Sequence, residues 1–383
     1  QAIAEQALRV VGRGAAVVLD PRNGDILAMA SVPSYDPNVF IPSISATDWK
    51  NINKDETNPM VNRAISAYAP GSTYKIPIAL AGMRAGLEDK SFSCYGGVQY
   101  GDKYMRCWIA EKKRTHGQLS LEDAIKVSCN AYFYQFGNAA GIEQIVAIGN
   151  MLGLGQKSGI PISGESPGVL PGPEWLNNIN PRARWSNGLT ANTAIGQGDV
   201  LASPLQMAVV TAALANGGTV YYPRLIDRIV SQDGKVVQQD PPRVRSNLLT
   251  DAGLTAEQIE HVRRGMWNVV NEGGGTAGRA KNSEMPTAGK TGTAQFWRSG
   301  IKDNHTWFIS FAPYENPEYV VVVFVQGAKS GGGVSAPIAA KILDGIQKYK
   351  SGKEDIQLAA LEPAKGNFLF TESVDFGREV AAA

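Results

Sequence analysis

Strand-forming sequence in this chain is confined to its two ends, and that confinement limits the fold more than any other feature. Near the N-terminus, Ala15-Ala-Val-Val-Leu19 and Ile26-Leu-Ala-Met-Ala30 are short apolar runs joined by Asp20-Pro-Arg-Asn-Gly24. Asn-Gly at such a junction predicts a hairpin. Near the C-terminus three more strands are expected, at Thr287–Phe296, Thr306–Ala312 and Tyr319–Gly327, followed by a closing helix from about Pro337 to Tyr349. Between the two groups, helical spacing predominates. It predicts helices over Ser72–Met83, Leu121–Phe136, Ile142–Leu152 and Pro204–Ala215, the last stopped by Asn216-Gly-Gly. Ala4 to Val11 also has helical spacing. The economical arrangement is an α/β (α+β) protein, with one antiparallel sheet built from both chain ends and an all-helical lobe inserted between them. A cleft between sheet and lobe is the natural place for a site.

The 383 residues suffice for a substantial core, and 43% hydrophobic with 19% charged residues describes a globular chain. A net charge of +2 and the absence of basic runs argue against a nucleic-acid partner. The longest apolar run, Tyr319–Val325, is strand-sized and too short to span a membrane. The opening Gln1-Ala-Ile-Ala has neither an initiator Met nor a signal peptide, so the chain reads as a mature or truncated piece.

Three short motifs carry chemistry. Ser72-Thr-Tyr-Lys75 is a Ser-x-x-Lys at a helix start, where positions i and i+3 share a face. Burial would lower the lysine pKa, letting its amine take the serine proton, and the free N–H groups of the helix start suit an oxyanion. Ser128-Cys-Asn130 offers a hydroxyl to relay a proton and an amide to hold a substrate. Lys290-Thr-Gly-Thr293 places a cation and two hydroxyls on a strand, with Gly292 leaving room for a backbone to approach. Singly each is weak. Ser299-Gly-Ile-Lys302 repeats the first, and Lys-Ser-Gly triplets at Lys157, Lys329 and Lys350 resemble the third. Only Lys290 lies in a strand followed by two more strands and a helix. Their order along the chain gives them joint weight.

With Ser31-Val-Pro-Ser-Tyr-Asp-Pro-Asn38, Asn62-Arg-Ala64, Gly196-Gln-Gly198 and Ala131-Tyr-Phe-Tyr-Gln135, these motifs resemble the class B penicillin-binding proteins, and among them the elongation-type, rod-shape members. The resemblance runs from about Gly14 to Tyr349. It implies a penicillin-binding/β-lactamase-like fold, with 1-13 a linker and N-terminal helix, 14-349 a transpeptidase domain and 350-383 a tail. It implies a D,D-transpeptidase in which Ser72 attacks the bond between the terminal D-alanines of a peptidoglycan stem peptide. In that reaction Lys75 is the base, and Ser128 and Asn130 relay a proton and position the peptide. Lys290, Thr291 and Thr293 bind the terminal carboxylate, and backbone N–H groups of Ser72 and Thr293 form the oxyanion hole. β-Lactams would acylate Ser72. The implied partners are a membrane glycosyltransferase and other elongation-complex proteins. The implied location is the inner membrane, with this domain in the periplasm and with an anchor helix and a pedestal domain preceding it. A D,D-carboxypeptidase, a serine β-lactamase or a β-lactam sensor domain would use the same motifs. For the lactamase, Glu174 with Asn178 only loosely echoes a deacylating pair and reads as a surface turn into a short helix.

All three cysteines fall close together, and Cys94, Cys107, His116 and Cys129 form a Cys-x12-Cys-x8-His-x12-Cys series. Three thiolates and an imidazole suit a closed, structural zinc site. A Cys94–Cys107 disulfide, or three free thiols, would also fit. Some elongation-type relatives resemble this chain in having a metal site here, with carboxylates where it has Cys94 and Cys107. A metal on Cys129 would fix the motif residues on either side of it.

Overall fold

The computed structural model describes residues 1–298 and 301–352. Ser299, which begins the second Ser-x-x-Lys, and most of the expected tail lie outside the described residues. The hairpin at the N-terminus forms from β1 (Gly14–Leu19) and β2 (Ile26–Val32). Gly24 in its turn has φ +80°, a conformation that glycine adopts without a Cβ penalty. β3 (Ala288–Arg298), β4 (Ile301–Ala312) and β5 (Tyr319–Gln326) follow at the other end of the chain. The strands assemble as one five-stranded sheet in the order β3-β4-β5-β1-β2. Every pairing in it is antiparallel. The junction between the two chain ends is β1 on β5, running from Gly14 opposite Val325 to Leu19 opposite Val320. All six residues of β1 are buried, which explains why it reads as an unbroken apolar run rather than an alternating one.

The two faces of the sheet are covered differently. The helices Ala2–Leu8 and Ala336–Lys350 pack on each other and on the sheet. The helix Pro204–Ala215 packs against β1, β4 and β5, and all twelve of its residues are buried. It is apolar on every side, as a helix between a sheet and a lobe must be.

The lobe departs from the sequence expectation in several places. The helix expected over Leu121–Phe136 is two helices, Leu121–Lys126 and Asn130–Ala140, with Ser128 between them at φ +54°. Periodicity alone does not register a break this short, because both pieces keep an apolar face. The lobe also carries small ribbons, Phe92–Cys94 with Gly117–Leu119 and Gly97–Tyr100 with Lys103–Arg106. Finally, a helix over Ala256–Asn271 lies in sequence that carried no assignment. Its signal was present: Thr255 and Gln258 form a capping box, and Ile259, Val262, Met266 and Val269 keep its buried face. That helix packs against Leu121–Lys126 and against β3, joining lobe to sheet.

Helix Lys75–Arg84 lies against helix Asn130–Ala140 through a glycine. A Cβ on Gly82 would stand 2.0 Å from the Phe136 ring. Gly82→Ala should therefore lower the unfolding free energy by about 1–3 kcal/mol, as overpacking does, although alanine is the better helix former. Urea denaturation reads this, and an unchanged or raised midpoint would contradict close packing at Gly82.

Candidate active site

Ser72 is presented by a turn that the strand beside it shapes. Pro70 precedes a 3-10 turn, Gly71–Tyr74, which continues as the helix Lys75–Arg84. The expected helix therefore begins as 3-10, in which residues i and i+3 eclipse, so Ser72 and Lys75 project on one line. Gly71 has φ +54°, and a Cβ there would lie 2.7 Å from the Thr293 carbonyl oxygen. The Gly71 N–H donates to the Gly196 carbonyl at 2.9 Å, so the Gly196-Gln-Gly198 turn braces the same loop. Gly292 is required by the chain's own packing, because a Cβ there would meet the Pro70 carbonyl oxygen at 2.7 Å. Ser72 is half-buried among buried neighbours.

The three motifs meet at one hydroxyl. Lys75 Nζ donates to Asn130 Oδ1 at 2.7 Å, to the Ser128 carbonyl at 2.9 Å and to Ser128 Oγ at 3.3 Å. Lys290 Nζ donates to the same Ser128 Oγ at 2.9 Å and to the Thr291 carbonyl at 3.2 Å. The Lys75 backbone N–H donates to the Ser72 carbonyl, but among the described residues no hydrogen bond of Lys75 Nζ runs to Ser72. Both lysine side chains are fully buried. Burial pushes the Lys75 ammonium down to about 8, a shift that the nearby Cys129 and Cys107 sulfurs oppose. Lys290 is driven well below the ordinary lysine value by burial and then by the charge of Lys75. The break in the lobe helix makes this meeting possible, since it turns both the carbonyl and the hydroxyl of Ser128 toward the lysines.

The two threonines of the third motif differ. Thr291 is buried, and its hydroxyl bonds that of Thr276 at 2.7 Å. Thr293 is exposed on the strand, and its hydroxyl accepts from the Gly331 N–H at 3.4 Å. Sequence reasoning missed Thr276, although the glycines at 273–275 before it marked a tight loop. It also missed Trp108, whose indole N–H donates to the Ser128 carbonyl at 3.1 Å and for which no local signal exists. Glu174 is exposed in the first turn of the helix Pro173–Ile179, and no hydrogen bond joins it to Ser72 or Lys75.

The family described as "Penicillin binding protein transpeptidase domain" matches residues 14–344. The chain belongs to this family. It is similar to the peptidoglycan D,D-transpeptidase MrdA of Haemophilus influenzae, 35% identical over 351 residues, which are 87% of this chain and 52% of that relative. The chain thus spans about half the length of the curated relatives it matches. A crystal structure of Pseudomonas aeruginosa PBP2 in complex with WCK 5153 superposes with a TM-score of 0.80 at 34% identity, covering 94% of this chain and 76% of that one. Helicobacter pylori PBP2 in complex with MreC gives a TM-score of 0.78 at 29% identity, covering 92% and 62%. The penicillin-binding fold expected from the motifs is therefore the observed one. Among the described residues, no helix is long and apolar enough to cross a membrane.

This transpeptidase domain also gathers the cysteines. Cys94 ends the strand Phe92–Cys94, Cys107 caps the turn Trp108–Lys112, and Cys129 caps the helix Asn130–Ala140. With His116 their ligand atoms all lie within 4.8 Å of one another. Cys107 Sγ is 3.7 Å from His116 Nδ1 and 3.9 Å from Cys129 Sγ. A tetrahedral zinc ion with ordinary bond lengths needs ligand atoms about 3.5–3.8 Å apart, so the four side chains fit one with little movement. None of the three cysteines is in a disulfide, so the alternative Cys94–Cys107 bridge is not formed. In the coupled pair the hydrogen bond from Cys129 pulls Cys107 well down, and the same bond pushes Cys129 up.

The shift at Lys75 has a thermodynamic sign. The folded chain loses this proton near pH 8, whereas the unfolded chain keeps it until about 10.5. Between those values the unfolded state binds more protons, so this residue adds stability as pH rises. The unfolding free energy of the wild type minus that of Lys75→Met should increase by on the order of 3 kcal/mol across that window. A flat difference would show that Lys75 titrates at its ordinary value.

Proposed function

We propose that this chain is the catalytic domain of a peptidoglycan D,D-transpeptidase of cell elongation, acting through an acyl-enzyme on Ser72. The observation that carries the reading is the Ser128 hydroxyl, hydrogen-bonded at once by Lys75 and Lys290. It links a base beside the nucleophile to a cation on the substrate strand. Ser72 Oγ attacks the carbonyl between the terminal D-alanines of a stem peptide, and Lys75, neutral at the moment of attack, takes its proton. The lowered value at Lys75 supports this role, since little free energy is needed to reach the amine form near neutral pH. The N–H groups of Ser72 and Thr293 stabilise the oxyanion. The proton passes through Ser128 Oγ to the departing D-alanine nitrogen, and the C–N bond breaks. An amine of a second stem peptide then attacks the ester, forming the cross-link and returning the proton to Ser72.

Asn130 holds the peptide and fixes Lys75. Thr293, exposed on the strand, contacts the terminal carboxylate directly. Lys290 acts on that carboxylate through its field, and Thr291, held by Thr276, keeps the strand in place. β-Lactams acylate Ser72 as mimics of the D-alanyl pair. The domain works at the periplasmic face of the inner membrane, with a membrane glycosyltransferase and elongation-complex proteins as partners. The likeness to the MreC-bound protein of Helicobacter pylori supports this placement.

Cys94, Cys107, His116 and Cys129 hold a zinc ion whose role is structural, closing the lobe around the Ser128 break. The spacing of the four ligand atoms and the chemistry of three thiols with one imidazole support this assignment.

Incubation with benzylpenicillin followed by mass spectrometry should give one penicilloyl adduct, located on Ser72 and lost in Ser72→Ala. Native protein that takes no adduct would exclude the acyl-transfer reading. Metal analysis of protein prepared without chelators should return about one zinc per chain. Strong chelation, or Cys129→Ala, should lower the melting temperature and the acylation rate together. Protein free of zinc with full acylation would exclude the metal assignment while leaving the nucleophile intact.

A further inference from the structure

Ser128 adopts φ +54°, a left-handed conformation that a non-glycine residue keeps only when its surroundings hold it. Part of the hold is local. The Ser128 N–H donates to Ile125 O at 3.2 Å, and the Cys129 N–H to Ala124 O at 3.0 Å. The rest comes through the Ser128 carbonyl, which accepts from Lys75 Nζ at 2.9 Å and from the Trp108 indole at 3.1 Å. A carbonyl oxygen has two lone pairs, and here both are committed. The indole has a single N–H, shared with the Val127 carbonyl at 3.3 Å, so one donor spans the break in the helix.

Trp108 is itself held. Its ring lies edge-on to His116, with centroids 5.3 Å apart, and Lys112 Nζ sits 5.2 Å from the ring centroid. It follows Cys107 in the chain, just as Cys129 follows Ser128. The pairs 107–108 and 128–129 are therefore tied twice, sulfur near sulfur at 3.9 Å and indole to carbonyl at 3.1 Å. Without the indole bond, the peptide between Ser128 and Cys129 would be held on its carbonyl side by Lys75 alone. A rotation of that peptide would move the oxygen that seats the Lys75 amine.

We propose that Trp108 is a positioning residue for acyl transfer: its indole N–H fixes the Ser128 carbonyl, and through it the seat of Lys75. This rests on the roles given above to Ser72 and Lys75. Trp108 acts on the machinery of the chemical step, whereas the Thr293 hydroxyl on the strand acts in binding. Its loss should therefore slow acylation and leave the preceding non-covalent binding unchanged.

The test is Trp108→Phe, which keeps a ring against His116 and removes the donor. Trp185→Phe serves as control, since that indole donates to Thr190 Oγ1 at 2.8 Å, outside the motifs. Rapid-mixing measurements with a chromogenic cephalosporin separate the non-covalent dissociation constant from the acylation rate constant. Trp108→Phe should lower the rate constant about tenfold, as loss of one buried hydrogen bond allows, and change the dissociation constant less than about twofold. Trp185→Phe should change neither. A wild-type acylation constant in Trp108→Phe, or parallel changes in both constants, would overturn the proposal while wild-type acylation of Ser72 still stood. Absence of acylation in the wild type would instead sink the reading beneath it. If Trp108→Phe does not fold, the wild-type chain decides: with 15N-labelled tryptophan, the Trp108 indole proton should exchange slowly with solvent, and rapid exchange would overturn the proposal.

Discussion

Two buried lysines that share one serine hydroxyl set the terms for the rest of this structure. Taking an ammonium out of water costs several kcal/mol, and two of them together cost more. Among the described residues neither Lys75 nor Lys290 has a carboxylate partner, so their donors are met by the carbonyls of Ser128 and Thr291, the Asn130 amide oxygen and Ser128 Oγ. These groups come from the start of a helix, a break in the lobe and the first strand after the lobe. The bond from Lys290 to Ser128 Oγ forms only when lobe and sheet close on each other. The stability lost at the lysines is offset by the apolar helix Pro204–Ala215 and the buried strands. The lysine shifts that make acyl transfer feasible near neutral pH arise from the same burial.

The arrangement depends on close approach as much as on charge. Gly71, Gly196 and Gly292 surround the turn that carries Ser72, and at each of them a Cβ would collide with backbone. Trp307 buttresses the turn from behind, donating to the Ala69 carbonyl at 3.0 Å. The nucleophile is thus set by backbone contacts with the strand and the Gly196 turn, and the polar side chains then find their partners across a cleft of fixed width.

Much of this was legible in the residues. The Asn-Gly turn and the buried β1 announced the hairpin, and the strands after Thr287 announced the far side of the sheet. The order of Ser72, Ser128 and Lys290 announced a shared site, and the structure joins the second and third of these directly at one hydroxyl. The cysteine series announced a cluster, although sequence could not choose among its chemical states. What stayed hidden depended on contacts between distant segments. The break at Ser128 costs backbone strain that no local pattern encodes, because its compensation comes from Lys75 and Trp108 in other elements. Thr276 gains meaning only from Thr291 beside it. The helix Ala256–Asn271 was legible and overlooked: its capping box stands in the sequence, in a stretch that carried no assignment.

The pairing of β1 with β5 has a consequence for how the molecule comes into being. Gly14 lies opposite Val325, so during synthesis β1 must wait for β5 before its open edge is filled. A chain delivered N-terminus first holds the buried run Ala15–Leu19 paired with β2 but without β5 while the entire lobe emerges. Such long-range pairing slows folding and leaves a β-edge open to other chains in the meantime. The interval between the synthesis of β1 and that of β5 is thus one in which the edge of β1 is open to misassociation.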